Sequence, residues 1–185
     1  MAPSHNTTTK PVSVLFVCLG NICRSPMAEA VFLSLTHPPN KQPHPLISRI
    51  DSCGTGAYHL LSPPDPRTLS TLAANGISSY THLARKLEPA DFEAFDYIMA
   101  MDKENLAYLR RMRERVSKRR GEGGSEEAGE RGLAKVMLWG DFGEGGEEVV
   151  DPYYGGGEGF EVAFEQMVRF SRGFLERLER REGVV

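Results

Sequence analysis

The stretch "VLFVCLGNICRSPMAEA" (residues 14–30) changes character halfway along. Its first part continues "SVLFV" (13–17), an apolar run rich in β-branched and aromatic residues that reads as a short buried strand ending at Cys18. "SPMAEAVFLSL" then reads as a helix: Ser25 can cap it and Pro26 suits the first helical position. Met27, Ala30, Val31 and Leu35 recur at helical spacing, which predicts one buried face. Between strand and helix lie Leu19, Gly20, Asn21, Ile22, Cys23 and Arg24.

The same alternation runs on. "LISRIDSC" (46–53), "FDYIMAM" (95–101) and "AKVMLW" (134–139) read as further strands. "PDPRTLSTLAANG" (64–76) reads as a helix ending at Gly76, and Asp102 caps "KENLAYLRRMRERV" (103–116). The last helix, "FEVAFEQMVRFSRGFLERLERR" (160–181), carries aromatic and sulfur side chains at helical spacing, a core pattern rather than a cofactor site. Strands alternating with helices predict an α/β three-layer sandwich, with a four-stranded parallel sheet covered by helices on both faces. Right-handed crossovers place ligands at the C-terminal strand edge, where Cys18 lies.

At 185 residues the chain fits a single domain over 11–185, preceded by a disordered polar tail (1–10). "SKRRGEGGSEEAGERG" (117–132) reads as a mobile surface insertion, and "DFGEGGEE" (141–148) is likewise rich in glycine and charge. A net charge of −3 gives no general reason to expect nucleic acid as a partner. No apolar run is long enough for membrane insertion, and "MAPSHNTTTKP" lacks the pattern of a signal peptide. Three cysteines do not make a secreted disulfide framework, so a cytoplasmic protein is expected. The basic run "RRMRERVSKRR" (110–120) reads first as a solvated helix face, with an address or a docking patch as alternatives.

The loop after Cys18 is suited to an anion. Backbone N–H groups converge there at the positive end of a helix, and Gly20 and Asn21 accept backbone angles other residues resist. Arg24 offers a planar fork for two phosphate oxygens. Cys18 stands beside it as a nucleophile, where the helix end and the arginine favour thiolate. Cleavage of a phosphate ester through a phosphocysteine follows. A phenolate leaving group needs a general acid, for which Asp151 in "VVDPYYGGG" (149–157) is the candidate. An ordinary Asp-Pro turn is the alternative.

"LFVCLGNICRSPMAEAVF", "GTGAYHLLSPPDPR", "HLARKL", "DFEAFDYIMAMDKENL" and "DPYYGGGEGFE" together resemble the low-molecular-weight protein tyrosine phosphatases, from about Val12 to the C-terminal helix. The resemblance implies hydrolysis of phosphotyrosine proteins or small aryl phosphates with no metal and no cofactor, by a monomer or weak homodimer. It implies Cys18 as nucleophile, Arg24 as phosphate clamp and Asp151 as general acid and then base. It further implies Ser25 as the hydroxyl that stabilises the departing thiolate, and Asn21 as the residue that holds the loop with support from Ser52 and His82. Cys23 is implied as the partner of Cys18 in a reversible disulfide. Ile22, Tyr58, Tyr153 and Tyr154 wall the substrate cleft, deep enough to favour phosphotyrosine over phosphoserine. Related phosphoarginine phosphatases carry threonine in place of Ile22. Leu61 and Ser62 depart from the family, which often has glycine nearby. Arsenate reduction on the same fold needs late resolving cysteines, and none follows Cys53. A binding module that keeps the cradle without turnover remains the rival of another class.

Overall fold

A computed structural model describes residues 10–121, 129–153 and 158–182. Four strands, β1 (Val12–Cys18), β2 (Ile47–Gly54), β3 (Tyr97–Ala100) and β4 (Lys135–Leu138), form one sheet in the order β2-β1-β3-β4. Every pairing is parallel, as predicted. Successive side chains of a strand point to opposite faces, so β1 serves two cores at once. Val14, Phe16 and Cys18 enter one of them and Leu15 and Val17 the other, and all five are buried.

The first core is closed by α1 (Arg24–Thr36), α2 (Pro66–Ala74) and α5 (Glu158–Glu182). Trp139 centres it, with Phe16 4.9 Å and Phe174 5.8 Å away in edge-to-face contact, the arrangement favoured by ring quadrupoles. The second core is covered by α3 (Asp91–Ala94) and α4 (Lys103–Gly121), through Phe92, Leu109 and Val116. Asp65 caps α2 through the Arg67 N–H at 2.8 Å, and Gly76 follows its end at φ 84°. Asp102 caps α4 through the Asn105 N–H at 2.6 Å.

Several expectations need correction. α1 begins at Arg24, so Ser25 lies in its first turn and is not its cap; Cys23 takes that position without a capping hydrogen bond from its side chain. Nor is one face of α1 buried: Arg24 to Phe32 is buried without a break, because sheet, α2 and α5 enclose it. The segment read as an insertion from residue 117 is helical to Gly121, where Ser117 is buried, while 122–128 lie outside the described residues, as do 1–9. "DFGEGGEE" is not a pure surface segment. Phe142 is buried against Phe174 at 4.9 Å, and Gly140 pairs with Glu147 to close the loop.

β1 is the switch point of the sheet. From β1 the chain goes to β2 on one side and then crosses from β2 to β3 on the other, which opens a crevice beyond the carboxyl ends of these strands.

Candidate active site

Cys18 ends β1 directly at that crevice, in register with Gly54 of β2. The backbone after it is fastened to the end of β2: the Thr55 N–H donates to the Cys18 carbonyl and the Gly56 N–H to the Leu19 carbonyl, both at 2.9 Å. Gly54 permits this approach, since a Cβ there would lie 2.8 Å from the Leu19 carbonyl oxygen. The loop then turns through Asn21 in the left-handed region, at φ 56°. That turn brings the Asn21 N–H to 3.3 Å from Cys18 Sγ. The Ser25 hydroxyl lies 3.0 Å from the same sulfur and 3.3 Å from the Cys53 carbonyl.

Asn21 is 1% exposed and every polar valence of its amide is used. Its Nδ2 donates to Ser25 Oγ at 3.0 Å and Ser52 Oγ at 2.9 Å. Its Oδ1 accepts from His82 Nε2 at 2.8 Å and from the Arg85 N–H at 2.9 Å. Ser52 and His82, both named from the sequence, therefore meet at Asn21.

Behind them lies Glu29, which the sequence reading missed. Its Oε2 accepts from the Ser52 hydroxyl at 2.6 Å and the Tyr80 hydroxyl at 2.8 Å, and lies 3.4 Å from His82 Nδ1. With Nε2–H directed at Asn21, a proton on the Glu29–His82 contact satisfies both groups. Burial pushes the Glu29 carboxyl up to about 7 against the Ser52 and Tyr80 hydrogen bonds, and burial pushes His82 down. The sequence signal was present: Glu29 is the one charged residue in the otherwise uncharged segment "SPMAEAVFLSL". Glu29, Asp51 and His82 also present ligand-type atoms within 4.8 Å of one another. Protein partners already engage these atoms, with Arg85 on Asp51 at 2.9 Å.

Arg24 is buried and held on both sides. Nη1 donates to Asp102 Oδ2 at 2.7 Å and Nη2 lies 3.0 Å from Asp151 Oδ2. Burial opposes its charge, but Cys18, Asp151 and Asp102 outweigh that, so its pKa lies above the usual arginine value. Asp102, expected only as a helix cap, does both jobs because β3 ends beside Cys18: the Met101 N–H donates to the Val17 carbonyl at 3.1 Å. Asp151 reaches the site on the loop after β4. The Val149 N–H donates to the Met101 carbonyl at 2.8 Å, and Gln166 on α5 accepts from the Val150 N–H at 3.0 Å. Arg67 donates to the Tyr153 carbonyl at 3.3 Å and lies over the Tyr153 and Phe160 rings.

Cys18, Arg24 and Asp151 thus line one cleft of about 360 Å³, walled by Ile22, Tyr58 and Tyr153. Leu19, Gly20 and Cys23 line it too. His59 completes the wall, a contribution that nothing in the sequence marked. Tyr154 lies outside the described residues. Burial first, then Asp65 and Cys18, push the Cys23 thiol up to about 12. All three cysteines are buried free thiols.

The model of the low molecular weight phosphotyrosine protein phosphatase family matches residues 13–183. The chain is 46% identical over 172 residues to the low molecular weight phosphotyrosine protein phosphatase of Schizosaccharomyces pombe, covering 92% of this chain and 99% of that protein. A protein tyrosine phosphatase from Entamoeba histolytica superposes with a TM-score of 0.72 at 31% identity, covering 91% of this chain and 97% of that one. A Drosophila arginine phosphatase gives 0.73 at 32%, covering 89% and 96%. With a sequence match from β1 into α5 and the parallel sheet shared throughout, the chain belongs to the low molecular weight phosphotyrosine protein phosphatase family.

Proposed function

We propose that the chain hydrolyses phosphotyrosine in proteins, and small aryl phosphates, through a phosphocysteine. The observation that carries this is the convergence of Cys18, Arg24 and Asp151 on one cleft walled by Ile22, Tyr58, His59 and Tyr153. Arg24 clamps two phosphoryl oxygens with its fork. Its Nη2 then leaves Asp151, while Asp102 keeps Nη1 and the orientation of the guanidinium.

Cys18 Sγ attacks phosphorus as thiolate, forming the S–P bond as the P–O bond to the aryl oxygen breaks. Asp151 gives its proton to that oxygen and the phenol departs. The carboxylate left on Asp151 takes a proton from water, whose oxygen attacks phosphorus. The S–P bond breaks, inorganic phosphate forms and the electron pair returns to Sγ. The Asn21 N–H and the Ser25 hydroxyl, already on this sulfur, receive the thiolate. Every proton has a protein or water source, so the cycle needs no metal.

An apolar wall of Ile22, Tyr58 and Tyr153 supports an aryl substituent over a guanidinium, which favours phosphotyrosine over phosphoarginine. Three cysteines, too few for a secreted disulfide framework, favour a cytoplasmic setting, and we expect a monomer or weak homodimer.

Hydrolysis of a phosphotyrosine peptide in chelator tests the reading. Wild type is expected to turn over, Cys18→Ser to be inactive and Asp151→Asn to be strongly slowed. Wild-type binding without release of phosphate would instead establish a binding module.

A further inference from the structure

Eight large apolar side chains stand exposed among the described residues, and seven of them lie on the loops that form or flank the cleft mouth. Soluble proteins seldom gather exposed apolar surface in one place without a partner for it. Within this group Leu61 is anomalous. It is the third residue of a turn closed by the Ser62 N–H on the His59 carbonyl at 2.9 Å, and its φ is 60°. That position favours glycine or asparagine. A leucine there is in a disfavoured backbone region and, at 75% exposure, gains almost no burial in return.

The turn is fastened in place. The Leu61 N–H donates to the Ala84 carbonyl at 2.8 Å and the Ala84 N–H to the Ser62 carbonyl at 2.9 Å, so the segment of exposed Leu83 runs alongside the turn that carries exposed Leu60 and Leu61. The turn also starts in the cleft wall, since Tyr58 and His59 line the cleft. Leu61 is two residues from His59, hence within about 7 Å of it along the chain.

We propose that Leu60, Leu61 and Leu83 dock an apolar side chain of the polypeptide that flanks the phosphotyrosine. This rests on the phosphotyrosine reading above. A phosphotyrosine seated at Cys18 sends its own backbone out over the mouth, and an extended chain advances about 3.3 Å per residue. A neighbour two or three positions away therefore passes over this turn. Exposure and backbone strain in the free protein are then repaid in the complex, where the leucines become covered.

The test uses two phosphotyrosine peptides that differ only in carrying leucines or serines around the phosphotyrosine, together with p-nitrophenyl phosphate. Wild type, Leu61→Asn and Leu83→Ser are compared; asparagine tolerates the left-handed backbone and removes the apolar surface. Wild type is expected to favour the leucine peptide by about tenfold in kcat/KM, the yield of covering roughly half a leucine side chain. Leu61→Asn is expected to lose most of that preference, with p-nitrophenyl phosphate turnover unchanged and the unfolding temperature no lower.

Equal kcat/KM for the two peptides in wild type overturns the proposal. So does a Leu61→Asn variant that loses p-nitrophenyl phosphate turnover to the same degree, which would make the turn a support of the cradle. Wild-type self-association abolished by Leu61→Asn, with no peptide discrimination, would assign the patch to a second copy instead. Absence of wild-type turnover on all three substrates would overturn the phosphatase reading itself, whereas turnover without discrimination overturns only the docking surface.

Discussion

Replacing Asn21 with alanine is expected to loosen the cradle by an amount that follows from its contacts. Alanine removes two donated and two accepted hydrogen bonds and places a Cβ-bearing residue without a polar side chain at φ 56°. The Ser25 and Ser52 hydroxyls keep other partners, in the Cys53 carbonyl and Glu29, so each loss is close to a net hydrogen bond of about 1 kcal/mol. His82 Nε2 can turn to Ser52 Oγ, 3.4 Å away, at a similar cost. The Arg85 N–H has no such substitute, which costs about 1–3 kcal/mol, and left-handed alanine adds about 1 kcal/mol. The sum is about 5–7 kcal/mol, against a total of about 5–15 kcal/mol for a typical domain. Urea unfolding at constant pH measures it, and Asn21→Gly should recover about 1 kcal/mol by relieving the backbone alone. With sulfur no longer held against its donors, kcat for a small aryl phosphate should fall by about tenfold or more. An Asn21→Ala protein within 1 kcal/mol of wild type with unchanged kcat would refute the reasoning.

Glu29 makes stability depend on pH in an unusual direction. Its folded pKa is raised from 4.5 to about 7, so the stabilisation linked to its proton is complete below about pH 4.5 and lost as pH rises through 7. Glu29→Gln has no such loss, and the stability of wild type relative to it should fall by about 2–3 kcal/mol from pH 5 to 8; a constant difference in denaturant midpoints would contradict the raised carboxyl. Asp102→Ala should leave buried Arg24 short of a partner and uncap α4, raising KM for aryl phosphate and costing about 3–5 kcal/mol. Asp102→Asn retains a capping oxygen and should cost less by about 1 kcal/mol in thermal unfolding. Peroxide should inactivate wild type reversibly through a Cys18–Cys23 disulfide, whereas Cys23→Ser should not be rescued by thiol; mass spectrometry of the oxidised peptide decides.

What could be read from the sequence was local. Cys18, Gly20, Asn21 and Arg24 announce their chemistry because strand, turn and helix start lie within a dozen residues, and the alternation of apolar runs is enough for a parallel sheet. Roles set by distant neighbours were not legible. Asp102 looks like any helix cap until β3 ends beside β1, and only then does its second oxygen meet Arg24. Ser25 looks like a cap because serine before proline normally is one. Here the helix starts two residues earlier and the hydroxyl faces the sulfur. Glu29 drew no reading from the sequence, since nothing short of the fold brings Ser52, Tyr80 and His82 around it. "DFGEGGEE" misled by composition: its one phenylalanine finds Phe174, which lies 32 residues further along the chain.

The central claim is that Cys18 carries the phosphoryl group. Rapid-quench mass spectrometry of Asp151→Asn with p-nitrophenyl phosphate tests it most directly. The good leaving group departs without an acid, while the missing base slows hydrolysis of the intermediate. One phosphoryl group on the peptide containing Cys18, absent in Cys18→Ser and removed with time, is the expected result. Release of phosphate with no label on Cys18 at any time point would contradict it.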